Sequence, residues 1–483
     1  MLAEGGKHLS RNRELAQENI FKLLMKFSIP AIVGMVVNSL YNVADRIFVG
    51  QGVNSLAIGG ITACMPVFNI IMAFGMLIGL GGASLISIRL GEQKKEDAEV
   101  ILGNGLVILV FIGALITIFG LAFIEPLLDL FGAKGETLPY ARDYMRIILW
   151  GAMFQYVSFG LNHYIRAEGN PRIAMLSMII GAVMNIILDP VFIFVFNMGI
   201  QGAAIATIMS QFASMVWVVS YFIRGNSVLK YRRENFRLKW SIVRKMLAIG
   251  SAPFAMQMAA SLLNVIMNNS VYKYGGDTGY AAIGVIMSVS MLVLMPIFGL
   301  NQGAQPIIGY NYGARKYDRV IKTLKLAILI ATGVTCTGFL VTQFFSRQLI
   351  QLFSSKDQEL LTMGSAGLRI FMAALPIIGF QIISANYFQA TGKPAYSMVL
   401  SLSRQVLFLI PMLLILPRTF GLGLTGIWLA GPTSDVLASL VTGVLLLREL
   451  RHLDAKHREQ AENEEEVQPD EADGLQDVQY MDV

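Results

Sequence analysis

Asn185, Asp189 and Pro190 fall within two helical turns of a long apolar run, residues 173–196, that carries no other charge. An ionised carboxylate near mid-bilayer costs ~2.5–3.5 kcal/mol on insertion scales, so it rarely sits there without a partner or a task. Asn185 precedes Asp189 by one turn and shares its helical face. An amide in that place can hydrogen-bond the charged or the neutral carboxyl. Pro190 has no N–H, which frees a backbone carbonyl one turn back. A proton-accepting group, a polar neighbour and a weak point in the helix therefore lie together.

Two other carboxylates, Asp45 and Asp435, lie inside apolar spans. Helical rise puts Asp189 roughly 24 Å, and Asp45 roughly 23 Å, above the inner face of the hydrocarbon. Thr207 falls near that level, Tyr144 slightly further out, and Tyr41 one turn below Asp45, level with Asn185. Two carboxyl groups, an amide and hydroxyls at one depth make a proton or cation site. The alternative for Asp45 is a simple pair with Arg46 at the interface. Arg404 and Asp435 both come out near ~13 Å, on neighbouring spans, and are expected to form a structural ion pair. Pro30 and Pro190 are the candidate hinges.

The elements that must position these residues are membrane helices. The chain has 483 residues, of which 55% are hydrophobic and 14% charged. A soluble domain carries about a quarter charged residues. Apolar runs of about 20 residues recur along nearly the whole length, which defines an all-α polytopic membrane protein. Twelve spans are expected, near 28–50, 56–82, 100–123, 143–165, 173–196, 203–223, 246–270, 281–308, 324–346, 366–389, 395–416 and 424–447. No cleaved leader is expected, because residues 1–27 are polar and the first apolar run is too long for a signal core. Roughly 28 of the Lys and Arg residues lie in the termini and the loops after even-numbered spans, so both termini are expected on the cytoplasmic side. That distribution explains the basic residues without nucleic acid. The two cysteines, Cys64 and Cys336, lie in apolar runs and read as packing residues.

The two halves repeat. Ser28-Ile29-Pro30 matches Ser251-Ala252-Pro253, and Ala57-Ile58-Gly59 matches Ala282-Ile283-Gly284. Residues Tyr164 to Pro171 match Tyr387 to Pro394, and Gly199-Ile200-Gln201-Gly202 matches Gly423-Leu424-Thr425-Gly426. Gly91 and Gly313 close matching spans. The separation stays near roughly 223 residues, and six spans per half make the repeats parallel, with a substrate site expected between them. The organisation is then a cytoplasmic segment 1–27, an N-lobe 28–223, a basic linker 224–245, a C-lobe 246–447 and an acidic tail 448–483 expected to be disordered.

Other signals are weak. The glycine-rich stretch 421–426 fits a dinucleotide fingerprint but follows no strand and has a repeat counterpart. No Walker A, His-Glu-x-x-His or Gly-x-Ser-x-Gly sequence occurs, so neither ATP hydrolysis nor enzymatic chemistry is expected. His163 reads as a packed residue.

The chain resembles the multidrug and toxic compound extrusion (MATE) family, on its bacterial branch, over about residues 20–450. The matching features are Pro30, the stretch Tyr41-Asn42-Val43-Ala44-Asp45-Arg46-Ile47-Phe48-Val49-Gly50, Asn185-x-x-x-Asp189-Pro190, and the Ala-x-Gly-x-Pro turns. The resemblance implies a V-shaped, two-lobed exporter that exchanges cationic or amphipathic drugs for protons or sodium ions. It would act as a monomer in the cell membrane, without cofactors. The family's N-lobe site would fall on Asp45, Asn185, Asp189, Thr207, Tyr41 and Tyr144, with sodium as the alternative ion at Asp45 and Asp189. Acidic ligands of some branches lie in the C-lobe. Gln257 stands in span seven here, and spans seven and ten carry no carboxylate. The other transport reading is a flippase for lipid-linked saccharides, which would want a cleft rich in arginine and lysine.

Overall fold

A computed structural model describes residues 14–130, 137–224, 227–352 and 358–467, and every element among them is helical. Hydrocarbon offers no water to an unpaired N–H or C=O, so a chain this apolar must satisfy its backbone within each segment. The first lobe comprises α1 (Ile20–Gly52), α2 (Leu56–Gly91), α3 (Lys95–Ala122), α4 (Leu138–Ala167), α5 (Pro171–Val195) and α6 (Gly199–Ile223). The second comprises α7 (Trp240–Gly276), α8 (Thr278–Gly313), α9 (Tyr317–Phe344), α10 (Gln358–Phe371 and Leu375–Ala390), α11 (Pro394–Ile415) and α12 (Gly423–Val467). Ten are long and apolar enough to cross a membrane singly, and the two parts of α10 qualify as a pair bent by 49°. The twelfth, α4, is 30 residues long but carries Arg142, Asp143 and Arg146 near its start.

The repeat is visible in the turns. Gly169 (φ 94°) and Gly392 (φ 71°) take left-handed conformations two residues before the prolines that open α5 and α11. A glycine adopts that conformation without the steric cost of a Cβ, and proline at the first helical position forfeits no hydrogen bond. Asn19 caps α1, its side chain accepting from the N–H groups of Phe21 and Lys22. Asn54 caps α2 by accepting from Ala57 N–H, and its amide donates to the Tyr140 hydroxyl at 2.7 Å.

The lobes meet in the halves of α2, α7 and α8 nearest the basic loops. A Cβ on Gly81 would lie 2.2 Å from the Met246 carbonyl oxygen, and one on Gly250 only 1.8 Å from that of Leu77. Gly91 and Gly313 make the same kind of approach to Tyr310 and Ile88. Glycine lets backbones come this close, and here it closes the lobes on the basic side. Residues just before α1 add a strap. The Leu15 carbonyl accepts from Asn311 and Arg319, and that of Glu18 accepts from Arg319, all across the lobe boundary. On the opposite side, Val265, Asn268, Asn269, Tyr272 and Tyr280 line a cavity of about 490 Å³ at the outer ends of α7 and α8.

One expectation needs correction. The stretch 448–467 is not a disordered tail, because α12 continues to Val467. Glu449 is buried there, accepts from Tyr387 and pairs with Lys393. Only the remainder of that expected tail, 468–483, lies outside the described residues, as do residues 1–13. Within the segment 1–27, α1 already begins at Ile20. The basic linker is fixed to the N-lobe. Asn104 donates to the carbonyls of Asn235 and Arg237 and accepts from Lys239 N–H, while Glu99 accepts from Lys230 N–H and pairs with Arg232. Composition marks these stretches as polar, but the buried groups that bind them lie far away in sequence.

Candidate functional site

Asp45 and Tyr41 project from α1 one turn apart, and Asn185 and Asp189 from α5 in the same relation, where α1 and α5 pack together. The carboxyl groups of Asp45 and Asp189 meet within hydrogen-bonding reach. Asp189 is fully buried and Asn185 nearly so. The Asn185 amide donates to Asp189 Oδ1 at 3.3 Å and lies 3.5 Å from Thr207 Oγ1 on α6. Thr207 donates in turn to the Ala203 carbonyl, and the Tyr144 side chain from α4 lies beside it. Tyr41 is within electrostatic reach of both carboxyl groups. Four helices thus bring together all six residues placed at one depth by their sequence position.

Asp45 faces Asp189 and forms no ion pair within 4.0 Å among the described residues. The Arg46 side chain is exposed and points to Met65 Sδ. Three buried oxygens, Asp45 Oδ1, Asp189 Oδ2 and Asn185 Oδ1, accept no hydrogen bond from any described residue. Buried acceptors are seldom left so. A carboxylate is acceptor-only when ionised, so two carboxyl groups in contact need a proton between them or a cation beside them. Hard cations bind carboxylate and amide oxygens, so this donor set suits either.

Pro190 ends the α-helical part of α5, and the next five residues, Val191–Val195, wind as a π-helix. Such wide turns occur often beside functional groups. Pro30 is buried within α1, which runs through it as one helix.

Arg404 Nε lies 2.5 Å from Asp435 Oδ1, joining the π-helical turn Ser403–Leu409 of α11 to α12. Removing one partner of a buried pair costs about 3–5 kcal/mol, less where one partner is part-exposed as Arg404 is. Arg404→Ala and Asp435→Ala should each lower the melting temperature. The double variant should fall short of the sum by about 0.5–3 kcal/mol. Strict additivity in that cycle would show that the pair contributes nothing as a pair.

Gln257 of α7 donates to Asn69 of α2 at 3.4 Å. His163 packs edge-on against Phe159. Arg166 drew notice only as part of a repeated stretch, yet it is buried at the lobe boundary. The signal that singles it out is its mismatch with Gln389 in the second repeat.

Two parallel six-helix lobes with a buried carboxyl pair in one of them define a secondary-transporter architecture. The MatE family model matches residues 30–191 and again 253–415, one copy per lobe, and the chain belongs to that family. It is 28% identical over 406 residues to the "Multidrug export protein MepA" of Staphylococcus haemolyticus (strain JCSC1435), covering 84% of this chain and 89% of that one. The solved MATE multidrug transporter DinF-BH is 40% identical, with a TM-score of 0.84 over 89% of this chain and 96% of that chain. A structure described as the outward-facing conformation of a multidrug resistance MATE family transporter is 27% identical. It has a TM-score of 0.86 and covers 91% and 98% of the two chains.

Proposed function

We propose that this protein is a secondary multidrug exporter of the cell membrane. It exchanges cationic or amphipathic organic compounds for protons through the Asp45–Asp189 pair, with its basic face toward the cytoplasm and as a monomer. The observation that carries the reading is the contact of two buried carboxyl groups inside the N-lobe. A pair holding one proton has lost one of its two negative charges. When the proton leaves, like charges face each other in a low-dielectric site, and a cation or a rearrangement must compensate. Asn185 can follow that change, because its amide serves either form of Asp189.

Pro190 and the π-turn behind it give α5 a place to bend, and Pro30 gives α1 one. The glycine contacts on the basic side correspond to the state closed toward the cytoplasm. A drug is exchanged for the proton either by competing for the same carboxyl groups or by favouring one of the two lobe arrangements.

The relatives named above carry multidrug export in their descriptions, which favours drugs over lipid-linked saccharides. The test uses purified protein in proteoliposomes with an imposed ion gradient, offered a fluorescent lipophilic cation or a polyprenyl pyrophosphate. The cation should be moved and the pyrophosphate left. The reverse pattern would overturn the reading.

A further inference from the structure

Arg166 ends α4 with its side chain 5% exposed, and it forms no ion pair among the described residues. Its Nη2 reaches only the Met178 thioether at 3.2 Å, and its Nη1 meets no acceptor among the described residues. A buried guanidinium normally has a carboxylate or an array of carbonyls around it. Glu168, two residues on, does not supply this, because it is engaged by Tyr221, Ser227 and Leu229 N–H. The C-terminal end of α4 compensates part of the charge.

Arg166 lines a small cavity of about 10 Å³ between the lobes. Ser87 and His163 form the N-lobe wall beside it, and Gln302 and Gln305 of α8 form the facing wall. The lining is rich in donors and contains no carboxylate. One water could bridge Arg166 Nη1 to the unpartnered Gln302 Oε1, but a water leaves the charge unmatched. The second repeat shows that the fold does not demand this charge, since Gln389 occupies the equivalent place. The polar contacts across the cavity are few: Gln305 donates to Ser84 at 2.8 Å, and Gln302 to the Met35 sulfur at 3.5 Å.

We propose that Arg166, with Ser87 and His163 beside it, binds a phosphate or carboxylate group when α8 moves off and the cavity opens to the cytoplasm. The planar fork of the guanidinium matches such an oxyanion with two parallel hydrogen bonds. The Ser87 hydroxyl, now weakly engaged with the Ala167 carbonyl at 3.3 Å, can turn to it. Occupancy of the opened site favours the cytoplasm-open arrangement, because the small cavity has no room for the group. The inference rests on the lobe motion proposed above. Its test reads binding directly, so a failure to transport drugs leaves it standing.

The experiment is native mass spectrometry of the full chain in detergent, with inorganic phosphate in one arm and dihexanoyl phosphatidic acid in the other. Wild-type protein should retain one adduct of at least one probe. An adduct in both arms marks a site for any phosphate, and one in the lipid arm alone a site for lipid-borne phosphate. R166Q, which installs the residue of the other repeat, should lower the adduct fraction about tenfold. R166K keeps the charge without the fork and should retain a weaker adduct, which guards against a folding defect in R166Q. Equal adducts in wild type and R166Q, or none in wild type, would overturn the proposal.

Discussion

Asp189→Asn should reduce drug efflux to background while leaving insertion, yield and melting temperature near wild type. The carboxyl group is fully buried, is faced by Asp45, and accepts from Asn185 at 3.3 Å. An amide has the same shape and can donate to Asp45, so packing and one hydrogen bond survive. What disappears is the ability to gain and lose a proton, and with it one of the two negative charges that a coupling ion would meet. Asp45 remains, but without an ionisable partner it no longer makes a pair whose charge changes by one under the force of the other. Two measurements decide the matter together: initial efflux rate in proteoliposomes and thermal unfolding in detergent. A variant that is folded and exports at the wild-type rate would remove Asp189 from the coupling site.

The site was unusually legible because a membrane converts sequence position into depth. Helices that cross hydrocarbon rise a fixed distance per residue, so Asp45 and Asp189, far apart in the chain, could be placed at one level. The Arg404–Asp435 contact follows from the same arithmetic. Legibility ended where tertiary contacts decide. Arg166 looks like any basic residue near a helix end until α8 is laid over it. The reach of α12 to Val467 was hidden because its last turns are charged, and a charged helix lacks the apolar run that marks a span. The bend in α10 did leave a signal, Pro376, which opens its second part and cannot donate back to Met372.

The repeat also accounts for placing the proposed coupling in one lobe. Moving the N-lobe site by the repeat separation of roughly 223 residues brings Asp45 to Asn268, Asn185 to Phe408 and Asp189 to Met412. Asn268 lines the outer cavity of α7 and α8, where an amide binds polar ligands but gains no charge. The buried carboxylates described in the C-lobe are already held, Asp435 by Arg404 and Glu449 by Lys393 and Tyr387. A carboxylate tied to a guanidinium is a poor proton carrier, because protonating it would leave the part-buried guanidinium without its partner. The two lobes share a frame, and among the described residues only the first brings two buried carboxyl groups together without a cationic partner.

That asymmetry makes the identity of the ion a question about three oxygens, Asp45 Oδ1, Asp189 Oδ2 and Asn185 Oδ1, which are buried and accept no hydrogen bond from the described residues. Protons are expected to drive export. The two carboxyl groups interact directly, which a shared hydrogen satisfies with no further ligand, whereas a cation there would also draw on the neighbouring hydroxyls. A one-for-one exchange of a monovalent cation for a proton moves no net charge, so the pH gradient supplies the driving force, about 1.4 kcal/mol per pH unit. Efflux of a fluorescent cation should therefore proceed from sodium-free proteoliposomes whose outside is acid, and should stop when the pH gradient is collapsed. It should not respond to an inward sodium gradient at uniform pH. If export failed in the first condition and appeared in the second, the same three oxygens would have to be read as a sodium site, with the neighbouring hydroxyls as its further ligands.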